Sequence, residues 1–154
     1  MRLKGKDIKM KKLLALLLIL TLSLFCLASC GQPEPEEGTV TLVLGTATPK
    51  KYTVELEKLG EGSGLIPLLN YLKENEGLGY SISGTFLDSV GEISNDYANN
   101  TYIYIYTSVE RDFDVSEYKT TINYKGTELV SAGVGATEMT LTDGAVIYIG
   151  TIVW

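Results

Sequence analysis

The fold is decided by residues 63–72, Ser63-Gly64-Leu65-Ile66-Pro67-Leu68-Leu69-Asn70-Tyr71-Leu72. The leucines at positions 65, 68, 69 and 72 are spaced i, i+3, i+4 and i+7, which places all four on one face of a helix. Pro67 is tolerated only in a first turn, Ser63 is the expected N-cap, and Gly77 or Gly79 is expected to end the helix. The stretch therefore predicts one main helix over about residues 65–75.

The segments on both sides of this helix have the pattern of β-strands. Thr39–Leu44 and Lys51–Leu56 both alternate with period two, which predicts a hairpin before the helix. After the helix, every residue of Tyr102–Tyr106 is aromatic or β-branched, as is typical of strands. Further strands are expected at Thr120–Tyr124, Glu138–Leu141 and Ala145–Trp154. The order predicts an α+β, β-grasp-like domain over residues 39–154, in which a mixed sheet packs one face on one helix.

A basic and then apolar leader precedes this domain. Arginine and lysines at positions 2, 4, 6, 9, 11 and 12 come before an uncharged, leucine-rich run that is shorter than the roughly 20 residues of a membrane-spanning helix. The run ends in Leu27-Ala28-Ser29-Cys30, the aliphatic, small, small, cysteine pattern of a bacterial lipobox. The alternative is an ordinary secreted protein with a chance cysteine. We expect residues 1–29 to be a lipoprotein signal peptide, starting at Met1 or Met10, and Cys30 to carry the lipid.

The charge of the chain changes when this leader is removed. The whole chain has a formal net charge of −6, and the leader takes away six basic residues and one acidic residue, which leaves −11. Such a surface repels phosphate backbones and anionic lipid, so we expect no nucleic-acid partner and anchoring by the acyl chains alone. Residues 30–38, with the lipidated cysteine and two prolines, are expected to be an acidic, extended tether on the outer face of the cell membrane.

The residue types that most often carry catalysis are missing. The chain contains no histidine; Cys26 leaves with the leader and Cys30 is acylated. Ser-His-Asp, Cys-His and zinc sites are thereby excluded. Any activity would have to rest on carboxylates or tyrosines alone, and no spacing in the sequence pairs them, so we predict no enzyme activity, no catalytic residue, no cofactor and no metal site.

One acidic segment imitates the start of a calcium loop. Asp112-x-Asp114-x-Ser116 has the first three ligand positions, but Glu117 stands where the loop needs glycine and Asn123 where it needs glutamate. A solvated loop is the expected structure.

Three tyrosines are the candidate binding residues. Tyr102, Tyr104 and Tyr106 must share one face of their strand, and Ile103 and Ile105 the other. The isoleucines suit the helix-covered core, which leaves a row of phenols facing outward. The tyrosines could simply tolerate a half-wet sheet face, or they could form an aromatic platform for a ligand or a partner protein.

The chain also resembles the transcobalamin-like C-terminal domain family, found in lipoproteins of Gram-positive bacteria. The resemblance covers about residues 62–149 and rests on the order and spacing of several short segments, which are Ser63-Gly64-Leu65 with Leu68 and Leu69, Gly84 to Gly91, Tyr102 to Tyr106, Tyr124-Lys125-Gly126, Ser131-Ala132-Gly133 and Leu141 to Gly144. Two features depart from the family: its aromatic strand usually carries a tryptophan, and its final Gly-Asp step is Gly144-Ala145 here.

The resemblance implies a possible ligand. In the vitamin B12 carriers, this domain covers part of the bound corrinoid through variable loops, so no cobalamin contact is carried over to a residue of this chain. We therefore expect a membrane-tethered extracytoplasmic binding domain for a small amphipathic ligand such as a cobalamin-type corrinoid. The alternative is a cell-surface interaction or adhesion module without a small-molecule ligand.

The lipid anchor can be tested by replacing Cys30. We expect Cys30→Ser to give uncleaved precursor or soluble, shed protein, because serine has no thiol to accept the diacylglycerol. Partition between detergent and aqueous phases, followed by immunoblotting, measures the outcome. Cys26→Ser is the matched control and should partition like the parent; normal maturation and membrane partition of Cys30→Ser would refute the anchor.

Overall fold

A computed structural model describes residues 37–154, so the predicted signal peptide and Cys30 lie outside the described residues. The described part is a mixed α+β structure in which most elements are strands and one α-helix is present. In chain order the elements are β1 (Thr39–Leu44), β2 (Lys50–Glu55), α1 (Ile66–Glu76), β3 (Tyr80–Ser83), β4 (Phe86–Val90), β5 (Ile93–Ser94), β6 (Thr101–Thr107), β7 (Thr121–Tyr124), β8 (Thr127–Ser131) and β9 (Val146–Val153).

The strands form two sheets. The larger sheet has the order β2-β1-β9-β6-β8-β7, and the smaller has the order β3-β4-β5. The pair β1–β9 is parallel, whereas the other pairs of the larger sheet are antiparallel. The first and last strands therefore lie side by side near the middle of the sheet. Within residues 37–154, no helix is both long and apolar enough to cross a bilayer.

The leucine spacing correctly predicts the helix and its buried face. Leu65, Leu68, Leu69 and Leu72 are all buried, and they share one core with Val40, Leu42 and Leu44 of β1 and Ile147 and Ile149 of β9. Ile103 and Ile105 pack against the same core, as expected. One face of the larger sheet is thus covered by the helix, which leaves the opposite face for the tyrosines.

The start of the helix differs from the expectation. Leu65, rather than Ser63, holds the N-cap position, and no side chain caps the helix there. The Leu65 amide instead donates to the Ala136 carbonyl at 2.7 Å, and Gly64, at φ +60°, lies where a Cβ would collide with the backbone of Ala136 and Thr137. A distant loop takes the place of the cap. The C-terminal end at Gly77, with φ 70°, is as predicted.

The strand predicted at Glu138–Leu141 is wrong, because no strand forms between β8 and β9. The carboxylate of Asp112, which is 2% exposed, accepts hydrogen bonds from the Thr140 amide at 2.6 Å and from the Thr140 hydroxyl at 2.9 Å. The Thr140 amide is therefore used by a side chain rather than by a neighbouring strand. The segment becomes a loop that is fixed by Asp112.

Removal of one core leucine should measure how much the sheet depends on the helix. We expect Leu69→Ala to lower the free energy of unfolding by about 2–5 kcal/mol, because it removes a fully buried side chain and leaves a cavity. Chemical denaturation followed by circular dichroism measures the change. Glu74→Ala, on the exposed side of the same helix, should change stability by less than about 0.5 kcal/mol; equal effects of the two substitutions would contradict the assigned packing.

Candidate functional site

The three predicted tyrosines lie on the face of β6 opposite to the helix-covered core. Across the antiparallel pairing with β9, Tyr102 faces Ile152, Tyr104 faces Gly150 and Tyr106 faces Tyr148. All three tyrosines are half-buried. The alternation of side chains along β6 therefore places them as the sequence pattern predicts. The Tyr148 ring lies against the glycine opposite Tyr104, since a Cβ at Gly150 would be 3.1 Å from Tyr148 Cε1.

Five rings on this face form a continuous aromatic row. Its members are linked by tilted or edge-to-face contacts, with centroid separations of 6.4 Å for Trp154–Tyr104, 5.4 Å for Tyr104–Tyr106, 6.3 Å for Tyr106–Tyr148 and 6.0 Å for Tyr148–Tyr124. Tyr102 forms a separate edge-to-face pair with Tyr97 at 5.9 Å. Tyr124 in the row and Tyr97 in the separate pair come from elements other than β6 and β9. The alternation of side chains along β6 therefore cannot place either of them.

Part of this aromatic row lies on a second, smaller apolar layer. Val43 is fully buried and pairs with Tyr148, so it lies on the tyrosine face. Leu129 is also fully buried and lies two residues from Ser131, the partner of Tyr106. Neither residue belongs to the helix-covered core. Tyr106 and Tyr148 therefore have a packing role on this face, which favours a structural interpretation for that end of the row.

Two separate hollows adjoin the tyrosines, one of them at the edge of β6, and the three predicted tyrosines divide between them. The first, here called the β6 groove, has a volume of about 410 Å³ and is lined by Tyr97, Tyr102, Tyr104, Trp154, Phe86 and neighbouring residues. The second has a volume of about 380 Å³ and contains Tyr106, Tyr124 and Tyr148. Tyr102 and Tyr104 thus share one candidate site, whereas Tyr106 belongs to the other.

Asn95 organises the polar end of the β6 groove. Its Oδ1 accepts a hydrogen bond from the Ile103 amide at 2.7 Å, and its Nδ2 donates to the Leu87 carbonyl at 3.3 Å and to Asp88 Oδ1 at 3.4 Å. The Tyr97 hydroxyl also donates to Asp88 Oδ1 at 3.4 Å. One amide side chain thereby joins β4 to β6. The sequence pattern gave no sign of this role, because Asn95 lies in a polar stretch without periodicity.

The position of Tyr97 depends on Asp96. The Asp96 carboxylate accepts hydrogen bonds from Asn99 Nδ2 at 2.6 Å and from the Asn99 amide at 3.3 Å, which closes a short 3₁₀ turn over Tyr97–Asn99. These hydrogen bonds, with that from the Asn99 side chain the largest, hold the pKa of Asp96 below its usual value. The turn places the Tyr97 ring against Tyr102 at the mouth of the groove.

The acidic segment at residues 110–117 does not have the arrangement of a calcium loop. Both carboxylate oxygens of Asp112 point inward to Thr140, whereas Asp114 Oδ1 accepts from the Ser116 amide at 2.8 Å. Asp112 is therefore not solvated as expected, but is a buried structural side chain. No group of three or more potential metal-ligating side chains occurs within residues 37–154.

Comparisons with known proteins add little to these observations. No protein-family model matches the chain, and no curated protein matches it. A crystal structure of a candidate metal-binding protein from Ruminococcus gnavus is similar at 14% sequence identity and a TM-score of 0.44, over 77% of this chain and 98% of that chain. Similarity at this level identifies neither the fold nor the function of the chain.

The packing beneath the second hollow can be tested at Gly45, where a Cβ would collide with the Tyr148 phenol. We expect Gly45→Ala to displace the Tyr148 ring, to change the near-UV circular dichroism and to destabilise the protein by about 1–3 kcal/mol. Gly60→Ala is the control, since a methyl group there meets open space. An unchanged aromatic spectrum and unfolding midpoint for Gly45→Ala would show that this ring is not packed as described.

Proposed function

We propose that this chain is a membrane-tethered, extracytoplasmic and non-catalytic binding domain whose ligand site is the β6 groove. One observation carries the proposal: a concavity of about 410 Å³ is bordered by five aromatic side chains, with an acid and an amide at one end. Ligand pockets typically have volumes of about 300–1,000 Å³, with mostly apolar walls and a few polar groups that orient the ligand. The volume of the groove lies in this range, and its lining combines aromatic side chains with Asp88 and Asn95.

The ligand that suits these walls is flat and amphipathic. The rings of Tyr102, Tyr104 and Trp154 offer faces and edges for stacking, whereas Asp88 offers a carboxylate at one end. The sheet order supports the β-grasp-like assignment, because a first hairpin is followed by a helix and the last strand returns parallel to the first. Together with the resemblance to the transcobalamin-like family, these features favour a corrinoid, of which a groove of this size would cover one edge.

The location and the absence of catalysis remain parts of the same proposal. Cys30 lies outside the described residues, so the lipid anchor rests on the lipobox pattern at residues 27–30. The non-catalytic assignment rests on a chain that contains no histidine and whose cysteines are both expected to be unavailable.

A second candidate function is a protein-interaction module. It is favoured by the exposure of two large apolar side chains at the groove, Phe86 at 71% and Trp154 at 66%. Aromatic side chains of this kind are enriched at protein–protein interfaces.

A titration separates these functions. We expect cobalamin to quench the tyrosine and tryptophan fluorescence of the full chain in detergent micelles in a saturable manner, and Tyr104→Ser to lose that quenching because it removes a wall of the groove. Tyr118→Ser is the control, since Tyr118 is exposed and outside the groove. If no corrinoid changes the fluorescence and a surface protein is pulled down in a manner that depends on Tyr104, the interaction module becomes the assigned function.

A further inference from the structure

One edge of β6 is only partly paired. β6 pairs with β9 along its whole length, from Thr101 to Thr107, but with β8 only at Tyr106 and Thr107. At the two ends of β6, the Asn100 carbonyl accepts from the Trp154 amide and the Ser108 amide donates to the Val146 carbonyl. The backbone groups of the even-numbered residues thus point toward β9, and those of the odd-numbered residues toward the partly open edge.

Most of the odd-numbered backbone groups on this edge have partners. Both groups of Thr101 bond to the backbone of Asp96, at 2.9 and 2.8 Å. The Ile103 amide donates to Asn95 Oδ1 at 2.7 Å, and the Ile105 carbonyl accepts from the Ala132 amide at 2.8 Å. Two groups remain without a hydrogen-bond partner among residues 37–154, the Ile103 carbonyl and the Ile105 amide. Both residues line the β6 groove.

These two free groups define a chemical pattern. An acceptor at residue 103 and a donor at residue 105 flank Tyr104, and one residue of an extended chain satisfies both with its own N–H and C=O, as in parallel strand pairing. The amide and carbonyl would then lie in the plane of the sheet, beside the backbone of Tyr104. A flat hydrocarbon without such groups would leave both backbone groups unsatisfied.

The length of chain that can pair with this edge is short. Asn95 occupies the edge at Ile103 and Ala132 occupies it at Ile105, so the free pair lies between two closed positions. On the far side, Thr85 of the β3–β4 turn rests against Gly135, where a Cβ would lie 2.7 Å from the Thr85 Cβ. The groove is therefore bounded along the strand, and only a short peptide segment fits beside it.

The charge of the groove selects the kind of peptide. Asp88 is the one charged side chain among the residues that line it, and aromatic rings, which attract cations, form part of the remaining lining. The chain after the predicted leader also carries a large acidic excess. A lysine or arginine side chain would find both a carboxylate and aromatic faces, whereas an acidic peptide would be repelled.

We infer that the β6 groove binds a short, extended, basic peptide segment, which adds to the edge of β6 through the Ile103 carbonyl and the Ile105 amide. The inference rests on the proposed function in that it uses the same groove, but it names a peptide in place of a corrinoid. Asp88 pairs with a basic side chain of the segment, and Tyr102, Tyr104 and Trp154 pack on its backbone and neighbouring side chains.

The test uses the capped pentapeptide acetyl-Lys-Val-Lys-Val-Lys-amide and the full chain in detergent micelles. We expect saturable binding, and protection of the Ile105 amide from hydrogen exchange by about tenfold, measured by NMR, because the amide gains a hydrogen bond. The same peptide with its central amide N-methylated cannot donate to Ile103 and should bind about tenfold more weakly. Asp88→Asn should weaken binding of the basic peptide, whereas Glu74→Gln, on the helix, should leave it unchanged.

The failure of this inference and the failure of the proposed function give different results. Cobalamin quenching that depends on Tyr104, with no peptide binding, would overturn the peptide and leave the groove as the ligand site. If neither cobalamin nor the peptide binds, both the inference and the proposed function are overturned. Equal affinity of the N-methylated peptide would also overturn the inference. So would protection of the Ile105 amide in a concentration-dependent dimer without peptide, because a second copy of the chain would then occupy the edge.

Discussion

The parallel pairing of β1 with β9 is the constraint on which the rest of the structure depends. It joins strands from opposite ends of the described chain, with Thr41–Leu44 in register with Val146–Ile149. The turn before β9 strengthens the junction, since Asp143 Oδ1 accepts from the Thr39 amide and the Gly144 amide donates to the Thr39 carbonyl. β6 pairs with the other edge of β9, and the register of that pair sets which tyrosines face Gly150 and Tyr148.

The helix and the tyrosines then take opposite faces of the same sheet. The leucine face of α1 covers the side formed by β1, β9 and the isoleucines of β6. The opposite side keeps a smaller apolar layer at Val43 and Leu129, above which the aromatic row is built. One end of the row is thereby committed to packing, and the other, at Tyr102, Tyr104 and Trp154, borders an open groove. Packing thus dominates at one end of the row, and the proposed binding groove lies at the other.

The partly unpaired edge of β6 explains why a groove forms beside this strand. A strand that diverges from its neighbour leaves backbone donors and acceptors exposed, and proteins usually cover or cap them. Here Asn95 and Ala132 cap the groups on either side, and two remain at the groove. The segment after β8 diverges from β6. Its Ala136 carbonyl accepts the hydrogen bond from the Leu65 amide at the start of the helix. The divergence that opens the groove is thus tied to the packing of α1.

The sequence by itself determined the helix, its buried face, β1, β6, β9 and the face shared by Tyr102, Tyr104 and Tyr106, because these depend on periodicity within one segment. Only the tertiary structure decided that Tyr106 separates from the other two, that Asn95 joins β4 to β6, and that Asp112 turns inward to hold Thr140. It also replaced the expected cap at Ser63 with the Ala136 carbonyl. Each of these features depends on hydrogen bonds or packing between residues of different segments, and such partners leave no periodic trace in the sequence.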